Sequence, residues 1–315
     1  MSRTVTAGLD GSRESLAAAA WAAREATLRG LPLRLVHVRE TVPLMQAPFI
    51  GGETGQWSEP SDRIPREAAE LLLRRHPGLD ISWEQLDGRP SEILPEAAEE
   101  SDLLVLGSRG LGSLGGFLLG SVGQAVVART ERPVVLVRAP ETGDDDGDGD
   151  GDGDGDGEAD AAASGTAAEP PAATGPVVLG LDANAPDGAL IAFAFEAAVR
   201  GGTSLRVVHS WNLPPYFAYG LPPDPELNAQ LADGEARTLA GVLEPWLREH
   251  PSLDVVAEAR PGKAVDQLVD ASRDASLLVV GRRIRRATPF GGRIGSVAHA
   301  VLHHAAAPVA VIPHR

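Results

Sequence analysis

The sequence predicts an α/β protein made of two similar units in tandem, each with a parallel sheet flanked by helices. Short aliphatic runs alternate with longer helical patterns, and this alternation is typical of parallel strands joined by right-handed crossovers. The alternation occurs twice, on either side of an acidic segment. The length of 315 residues also exceeds that of one ordinary domain and suffices for two domains of about 100 to 150 residues.

The first unit is expected to contain five strands and four helices. We predict strands at 3–9, 33–38, 80–86, 103–107 and 133–138, and helices at 13–29, 61–75, 91–100 and 121–130. Ser12 can cap the first helix because its hydroxyl can accept a hydrogen bond from the first turn. Gly30 can end that helix because glycine adopts a left-handed conformation without strain.

The second unit repeats the first with an offset that drifts from 172 to 175 residues. Residues 5–10 match 177–182, residues 33–38 match 205–210, residues 103–107 match 277–281, and residues 133–137 match 308–312. An internal repeat of this length indicates duplicated domains. We therefore predict one domain at 1–140 and a second at 176–315.

Residues 141–175 separate the two units. This segment carries twelve Asp or Glu and no Lys or Arg, so it is predicted to be a disordered acidic linker. Its alternating aspartates suggest an EF-hand, yet every frame lacks the glutamate at the twelfth position, which disfavours a calcium site. Without those twelve charges the formal net charge falls from -16 to -4, which suggests neither nucleic acid nor an anionic membrane as a partner.

Cysteine is absent from the chain. This excludes disulfides, zinc–thiolate sites, iron–sulfur clusters and cysteine nucleophiles, and it favours a reducing compartment. Asp10, Arg13 and Glu14 interrupt the apolar residues near the N-terminus, so no signal peptide is expected. No apolar run approaches the roughly 18 residues of a transmembrane helix. We therefore expect a cytoplasmic protein.

A loop rich in glycine and serine follows the fourth strand. Gly107 and Gly110 lack a Cβ, so the chain can turn sharply and bring its amides close to an anion. Gly120 and Ser121 open the next helix, where free N–H groups, the helix dipole and a hydroxyl point toward the same anion. Arg109 could neutralise a terminal phosphate or remain a solvated charge. Such a loop lies beyond the carboxyl ends of the strands, where open α/β sheets bind ligands, so we predict a phosphate site.

These residues give the first unit a resemblance to the ATP-binding domain of the universal stress protein family. The family pattern is Gly, two residues, Gly, nine residues, Gly, then Ser or Thr, and Gly107, Gly110, Gly120 and Ser121 meet it at every position. The resemblance implies that Asp10 contacts the nucleoside, although a carboxylate there could instead lead into the first helix. It implies ATP, with or without Mg²⁺, as the ligand. The other residues that it assigns to the site are Gly8, Val38, Ser108, Arg109 and Val122.

The resemblance also implies an architecture and a biological role. Each domain is expected to be doubly wound, with five parallel strands in the order 3-2-1-4-5 and helices on both faces. The strands at 134–137 and 309–312 are expected to face each other, so that the two domains form a pseudo-dimer within one chain, and the whole chain could form a homodimer. The implied role is that of a bacterial stress-response module that binds adenine nucleotide.

The second unit keeps only part of the pattern and is predicted to be a weaker site. Ile284 replaces the second glycine, and a β-branched residue does not readily adopt positive φ. The retained positions are Gly180, Asp182, Gly281, Gly295 and Ser296. The loop also carries five arginines that could hold an anion, reach toward the first unit or the acidic linker, or remain solvated, namely Arg282, Arg283, Arg285, Arg286 and Arg293.

Two enzymatic alternatives stay open. The loop from Gly110 to Gly115 satisfies the dinucleotide fingerprint of NAD-dependent oxidoreductases, but it follows the fourth strand rather than the first, and the next strand ends in Arg138,. A slow ATP hydrolase is the other alternative, although the sequence offers no credible general base, so efficient catalysis is not expected. A P-loop is excluded because the only lysine is Lys263.

No metal site is predicted from the histidines near the C-terminus. His299, His303 and His304 share the final helix, where two imidazoles could lie on one face,. No carboxylate accompanies them at ligand spacing, so surface or satisfied core histidines are expected.

Overall fold

The structure, a computed structural model, describes residues 3–40, 59–108, 120–139, 175–213, 224–284 and 293–315. Several predicted features lie outside these residues. They are the acidic linker apart from Gly175, the site residues Arg109 and Gly110, the fingerprint loop from Gly110 to Gly115, and the arginines Arg285 and Arg286.

In the first half the helices and strands alternate as predicted. Their bounds are β1 (Val5–Leu9), α1 (Arg13–Arg29), β2 (Leu33–Arg39), α2 (Glu59–Arg75), β3 (Ile81–Asp87), α3 (Pro90–Glu99), β4 (Leu103–Gly107), α4 (Ser121–Arg129) and β5 (Val134–Val137). Each bound lies within two residues of its prediction.

The second half has the same element order. Its bounds are β6 (Val177–Gly180), α5 (Gly188–Gly201), β7 (Leu205–Trp211), α6 (Pro225–Glu249), β8 (Val255–Pro261), α7 (Ala264–Ala271), β9 (Leu277–Arg283), α8 (Ser296–His304) and β10 (Val309–His314). Among the described helices, none is both long and apolar enough to span a membrane.

All described strands belong to a single ten-stranded sheet with the order β3-β2-β1-β4-β5-β10-β9-β6-β7-β8. Each half contributes five parallel strands in the expected order 3-2-1-4-5. The halves join where β5 and β10 pair antiparallel, with Val135 opposite Ala310. This is the pairing that the resemblance implies, and it makes the two sheets continuous.

The first helix begins and ends at the predicted residues. The Ser12 hydroxyl accepts a hydrogen bond from the Ser15 amide at 3.2 Å, which satisfies one of the free donors of the first turn. Gly30 ends the helix with φ of 63°, and its amide donates to the Thr27 carbonyl. The buried face of α1 consists mostly of alanine, so the helix backbone can lie close to the sheet.

Two apolar layers cover the sheet, and each layer extends across both halves. One layer packs α1, α2, α5 and α6 on one face and includes Ala22 and Phe195. The other packs α3, α4, α7 and α8 on the opposite face and includes Val126 and Leu302. Successive residues of β4 alternate between the layers, as expected for a parallel sheet that is buried on both faces. The halves therefore share their core.

A partly buried ionic cluster links α1 to α5 across the two halves. The Glu25 carboxylate accepts from Arg29 at 2.6 Å and from Arg200 at 3.3 Å. The Arg29 guanidinium also lies 5.6 Å from the centre of the Phe193 ring, within the range of a cation–π contact. The side chain of Glu25 is only 13% exposed, so its charge is partly shielded from water.

Replacement of Glu25 by glutamine is expected to lower the free energy of unfolding by about 2 kcal/mol, because it removes the shielded carboxylate that Arg29 and Arg200 share,. Urea unfolding followed by circular dichroism would measure this loss. The matched control is Glu196→Gln, which removes an Arg200 partner at 3.2 Å that is 61% exposed and should cost less than about 0.5 kcal/mol. Equal losses in both variants would contradict the role assigned to Glu25.

Candidate functional site

A cavity of about 390 Å³ lies at the carboxyl ends of the strands in the first half. It opens beside β1 and β4, where the strand order reverses and α/β sheets commonly bind ligands,. Its volume is within the range of small-molecule sites. Seven of the predicted site residues line it, namely Gly8, Asp10, Val38, Gly107, Gly120, Ser121 and Val122.

Ser108 differs from the other described residues that the sequence assigns to the site. It is buried, and its amide donates to the Val137 carbonyl at 2.8 Å. This bond extends the pairing of β4 with β5 by one residue and directs the amide away from any ligand. Ser108 is not among the described residues that line the cavity.

Neighbouring elements approach two glycines at the floor of the cavity closely. A Cβ on Gly107 would lie 2.6 Å from the carbonyl carbon of Glu14 and 2.7 Å from the amide nitrogen of Ser15. A Cβ on Gly8 would lie 2.6 Å from the side chain of Leu106. Gly107 is not among the described glycines with positive φ. Gly107 therefore has a packing role, in which it lets the start of α1 contact the end of β4, and the turn predicted for Gly107 and Gly110 continues outside the described residues.

The first turn of α4 forms one wall of the cavity. Gly120 is the N-cap residue with φ of -58°, and no side chain caps the helix. Ser121, Val122 and Gly123 follow it along the cavity wall. The amides of a first helical turn have no acceptor within the helix, and the helix dipole adds partial positive charge at the same end. This wall is therefore suited to an anion.

Asp10 has two roles in the structure. Its carboxylate accepts from the Ser12 amide at 3.0 Å and from the Ser12 hydroxyl, so it braces the turn that leads into α1. It also lines the cavity and is exposed. Asp10 therefore leads into the first helix and also lines the cavity, while its contact with a nucleoside stays a prediction.

Glu40 lines the same cavity and was missed by the sequence reasoning. Glu40 follows β2 directly, and Asp10 follows β1 directly, so both lie at the carboxyl ends of adjacent strands. This position in the sequence could have indicated Glu40 as a site residue. The titratable residues in the described lining are Asp10 and Glu40, and that part of the lining contains no Lys, Arg or His. The described lining of the cavity is thus negatively charged at the ends of β1 and β2, while the start of α4 forms another wall.

A second cavity of about 390 Å³ occupies the equivalent position in the other half. The residues predicted for the weaker site all line it, namely Gly180, Asp182, Gly281, Gly295 and Ser296. Three charged or titratable residues join them, namely Asp187, Arg283 and His314. The second cavity therefore contains a cation, Arg283, beside the carboxylates of Asp182 and Asp187.

The second cavity differs because its strands are longer. β9 and β10 continue to Arg283 and His314, which pair with each other, and the Ile284 amide donates to the His314 carbonyl at 2.6 Å. This amide belongs to the residue that replaces the second glycine, so it is used in the sheet. His314 also covers Gly281, where an added Cβ would lie 2.7 Å from its Nε2. The altered motif thus corresponds to extended strand pairing.

Comparison with known proteins identifies the family. The universal stress protein family model matches residues 1–138 and 174–313. The chain belongs to the universal stress protein family. A universal stress protein of Mycobacterium tuberculosis is 32% identical over 98% of this chain and 96% of its own length.

A solved structure of a universal stress protein that spans both halves has the same fold. This structure, from Archaeoglobus fulgidus, covers 99% of this chain and 99% of its own, with a TM-score of 0.59 and 15% identity. A universal stress protein in complex with cAMP covers 44% of this chain and 97% of its own, with a TM-score of 0.33 and 32% identity.

The arginines predicted in the second universal stress protein unit have separate positions. Arg283 lines the second cavity, so it is available to an anion. Arg293 is exposed. Arg282 is buried and donates to backbone carbonyls of the first half. Of the alternatives that the sequence left open for this loop, the structure shows the reach toward the first half for Arg282, and anion binding by Arg283 stays a prediction.

Proposed function

We propose that this universal stress protein binds ATP in its first cavity and acts as a nucleotide-dependent regulatory module in stress response, not as an efficient enzyme. The observation that carries the proposal is the convergence of two predicted groups on one cavity. The helix-opening residues Gly120 and Ser121 lie on one wall, and Asp10 and Val38 lie at the ends of β1 and β2. Phosphates and a nucleoside need such groups at neighbouring positions.

The phosphates would bind at the start of α4. Amide hydrogen bonds to a charged oxygen contribute about 1.5–3 kcal/mol each. Three or four of them approach the roughly 8 kcal/mol of a micromolar complex. The hydroxyl of Ser121 adds a further donor beside these amides. The adenine would contact apolar residues of the same cavity, namely Val38, Leu94 and Leu106.

The charges of the cavity support a role for a cation. Asp10 and Glu40 line it, and like charges nearby oppose the binding of a polyphosphate. We infer that Mg²⁺, or Arg109 from the adjoining loop, offsets this repulsion. Binding of ATP should therefore depend on Mg²⁺ more strongly than binding of AMP, which carries fewer charges.

We infer that the second site binds nucleotide less well than the first. In the second cavity the strand pairing uses the Ile284 amide, which leaves fewer donors for phosphates.

We infer a cytoplasmic location, because the absence of cysteine supports a reducing compartment. We also infer that ATP is not turned over quickly, because Asp10 already accepts two hydrogen bonds from Ser12 and is therefore a poor general base.

Calorimetric titration of the intact chain with ATP, AMP and NAD tests the proposal. We expect micromolar ATP binding that requires Mg²⁺, with a stoichiometry of about one ATP per chain because the second site is weaker. Omission of Mg²⁺ is the matched control and should lower ATP affinity more than AMP affinity. Absence of ATP binding, or tighter binding of NAD, would refute the proposal.

A further inference from the structure

One arginine of the second half contacts the helix that opens at the first cavity. Arg282 lies on β9 and is only 4% exposed. Its Nη1 donates to the Ala128 carbonyl at 3.3 Å, and its Nη2 donates to the Thr130 carbonyl. Both acceptors belong to the C-terminal end of α4, so this side chain crosses from one half of the protein to the other.

The carbonyl groups at the end of α4 offset the cost of burying this charge. The last carbonyls of a helix have no intrahelical donor and carry the negative end of the dipole. Burial lowers the pKa of Arg282, and the charge of nearby Glu131 acts in the opposite direction. A guanidinium remains charged under such a shift, and its rigid geometry suits two separate carbonyls.

In the second half, strand pairing holds the backbone of Arg282 in place. Its neighbours Gly281 and Arg283 line the second cavity, and β9 pairs with β10 so that Arg282 lies opposite Pro313. The arginine therefore extends from a paired strand at the centre of the sheet. Such an anchor can fix the position of a helix.

Helix α4 connects this anchor to the first cavity. It has nine residues, so its ends are about 14 Å apart at 1.5 Å per residue. Gly120 and Ser121 lie at the cavity end, and the acceptors of Arg282 lie at the other end. A displacement at the anchored end would move the amides that face the cavity.

The first half makes a reciprocal contact with the second. Arg138 follows β5, and its Nη2 donates to the Leu302 carbonyl of α8 at 3.3 Å. Burial lowers the pKa of Arg138 to about 10. Helix α8 opens at Gly295 and Ser296 in the second cavity. Each half thus contributes an arginine to the end of the helix that serves the other half's cavity.

We propose that Arg282 is a positioning residue for the first cavity, through which the second half sets the affinity of the first half for nucleotide. The part that concerns affinity rests on the proposed function. In this arrangement the second half contributes to nucleotide binding in the first half, whether or not its own weaker site is filled. This accounts for an arginine at position 282, where the first half has Ser108.

The test compares Arg282→Met with Arg138→Met in the intact chain. We expect Arg282→Met to raise the ATP dissociation constant about five- to tenfold, because α4 loses the contact that positions its first-turn amides toward the cavity. It should also speed amide exchange in α4 and leave α8 unchanged. Arg138→Met should speed exchange in α8 and leave both α4 and ATP affinity unchanged. Calorimetry and hydrogen exchange measured by mass spectrometry provide these values.

Several outcomes would overturn the proposal. One is an unchanged rate of amide exchange in α4 of Arg282→Met. Another is an equal effect of both variants on the exchange of both helices, because a general loosening of the interface would produce that result. If Arg282→Met fails to fold, Arg282→Lys serves instead, because it keeps the charge but cannot span two carbonyls as a guanidinium does, and an unchanged α4 would again count against the proposal. If the wild type binds no ATP, the proposed function fails, while hydrogen exchange still decides whether Arg282 positions α4.

Discussion

Replacement of Gly120 by aspartate is expected to weaken ATP binding at least about 100-fold without destabilising the protein. Two like charges 4 Å apart repel by about 4 kcal/mol at the effective dielectric constant of a protein surface. A carboxylate at Gly120 would lie where the start of α4 faces the cavity. It would also offer its own oxygen to the helix amides that are proposed to bind phosphate.

The structure explains why this substitution should leave the fold intact. Gly120 has φ of -58°, which any residue adopts, and a Cβ there would meet no atom of the described residues within 4 Å. Aspartate is among the preferred N-cap residues and stabilises helices by about 1 kcal/mol relative to poor caps. Thermal unfolding should therefore show an unchanged or slightly raised midpoint, while calorimetry shows the loss of ATP binding.

Two control variants separate charge from size and one cavity from the other. Gly120→Asn provides a similar cap without the charge, and we expect it to lose less than about tenfold in affinity. Gly295→Asp introduces the same charge at the N-cap of α8, where φ is -63° and a Cβ also meets no atom within 4 Å among the residues that the structure describes. It should leave ATP binding unchanged. ATP binding that survives in Gly120→Asp, or is lost in Gly295→Asp, would place the ligand elsewhere.

The fold could be predicted from the sequence because its determinants are local or repeated. Ser12 and Gly30 identify the ends of α1 through their own chemistry, and the structure confirms both. The inner strands could be located because they are short aliphatic runs that are buried on both faces, whereas the edge strands β3 and β8 are partly exposed. Pairing of β5 with β10 depended on family resemblance, since the aliphatic runs of these strands do not specify a partner.

The site was predicted less completely because its properties depend on contacts between distant residues. Gly107 was assigned to a sharp turn, but the start of α1 is what excludes a side chain there. Glu40 carries no motif and reaches the cavity only because β2 lies beside β1. The presence of Ile284 in the sequence showed that the second loop differs from the first. The structural cause of this difference is the pairing of Arg283 with His314, which no local pattern indicates.

Gly107→Ala is expected to lower the free energy of unfolding by about 3 kcal/mol, at the upper end of the cost of overpacking. The added Cβ would meet backbone atoms of Glu14 and Ser15 at 2.6 to 2.8 Å. Backbone atoms in the first turn of α1 cannot move without shifting the helix, and α1 packs on both β1 and β4. Urea unfolding would measure the loss.

Gly281→Ala is the matched control, because Gly281 is the equivalent residue of the second half. Its added Cβ would also fall within 3.0 Å of another atom, but that atom belongs to the imidazole of His314. A side chain can rotate away, so we expect a loss of about 1 kcal/mol or less. Equal losses at the two positions would show that the first turn of α1 moves aside as readily as the imidazole of His314. A larger loss at Gly107 would mean that its glycine is required by the fold whether or not nucleotide binds, so glycine at this position is by itself weak evidence for a nucleotide site.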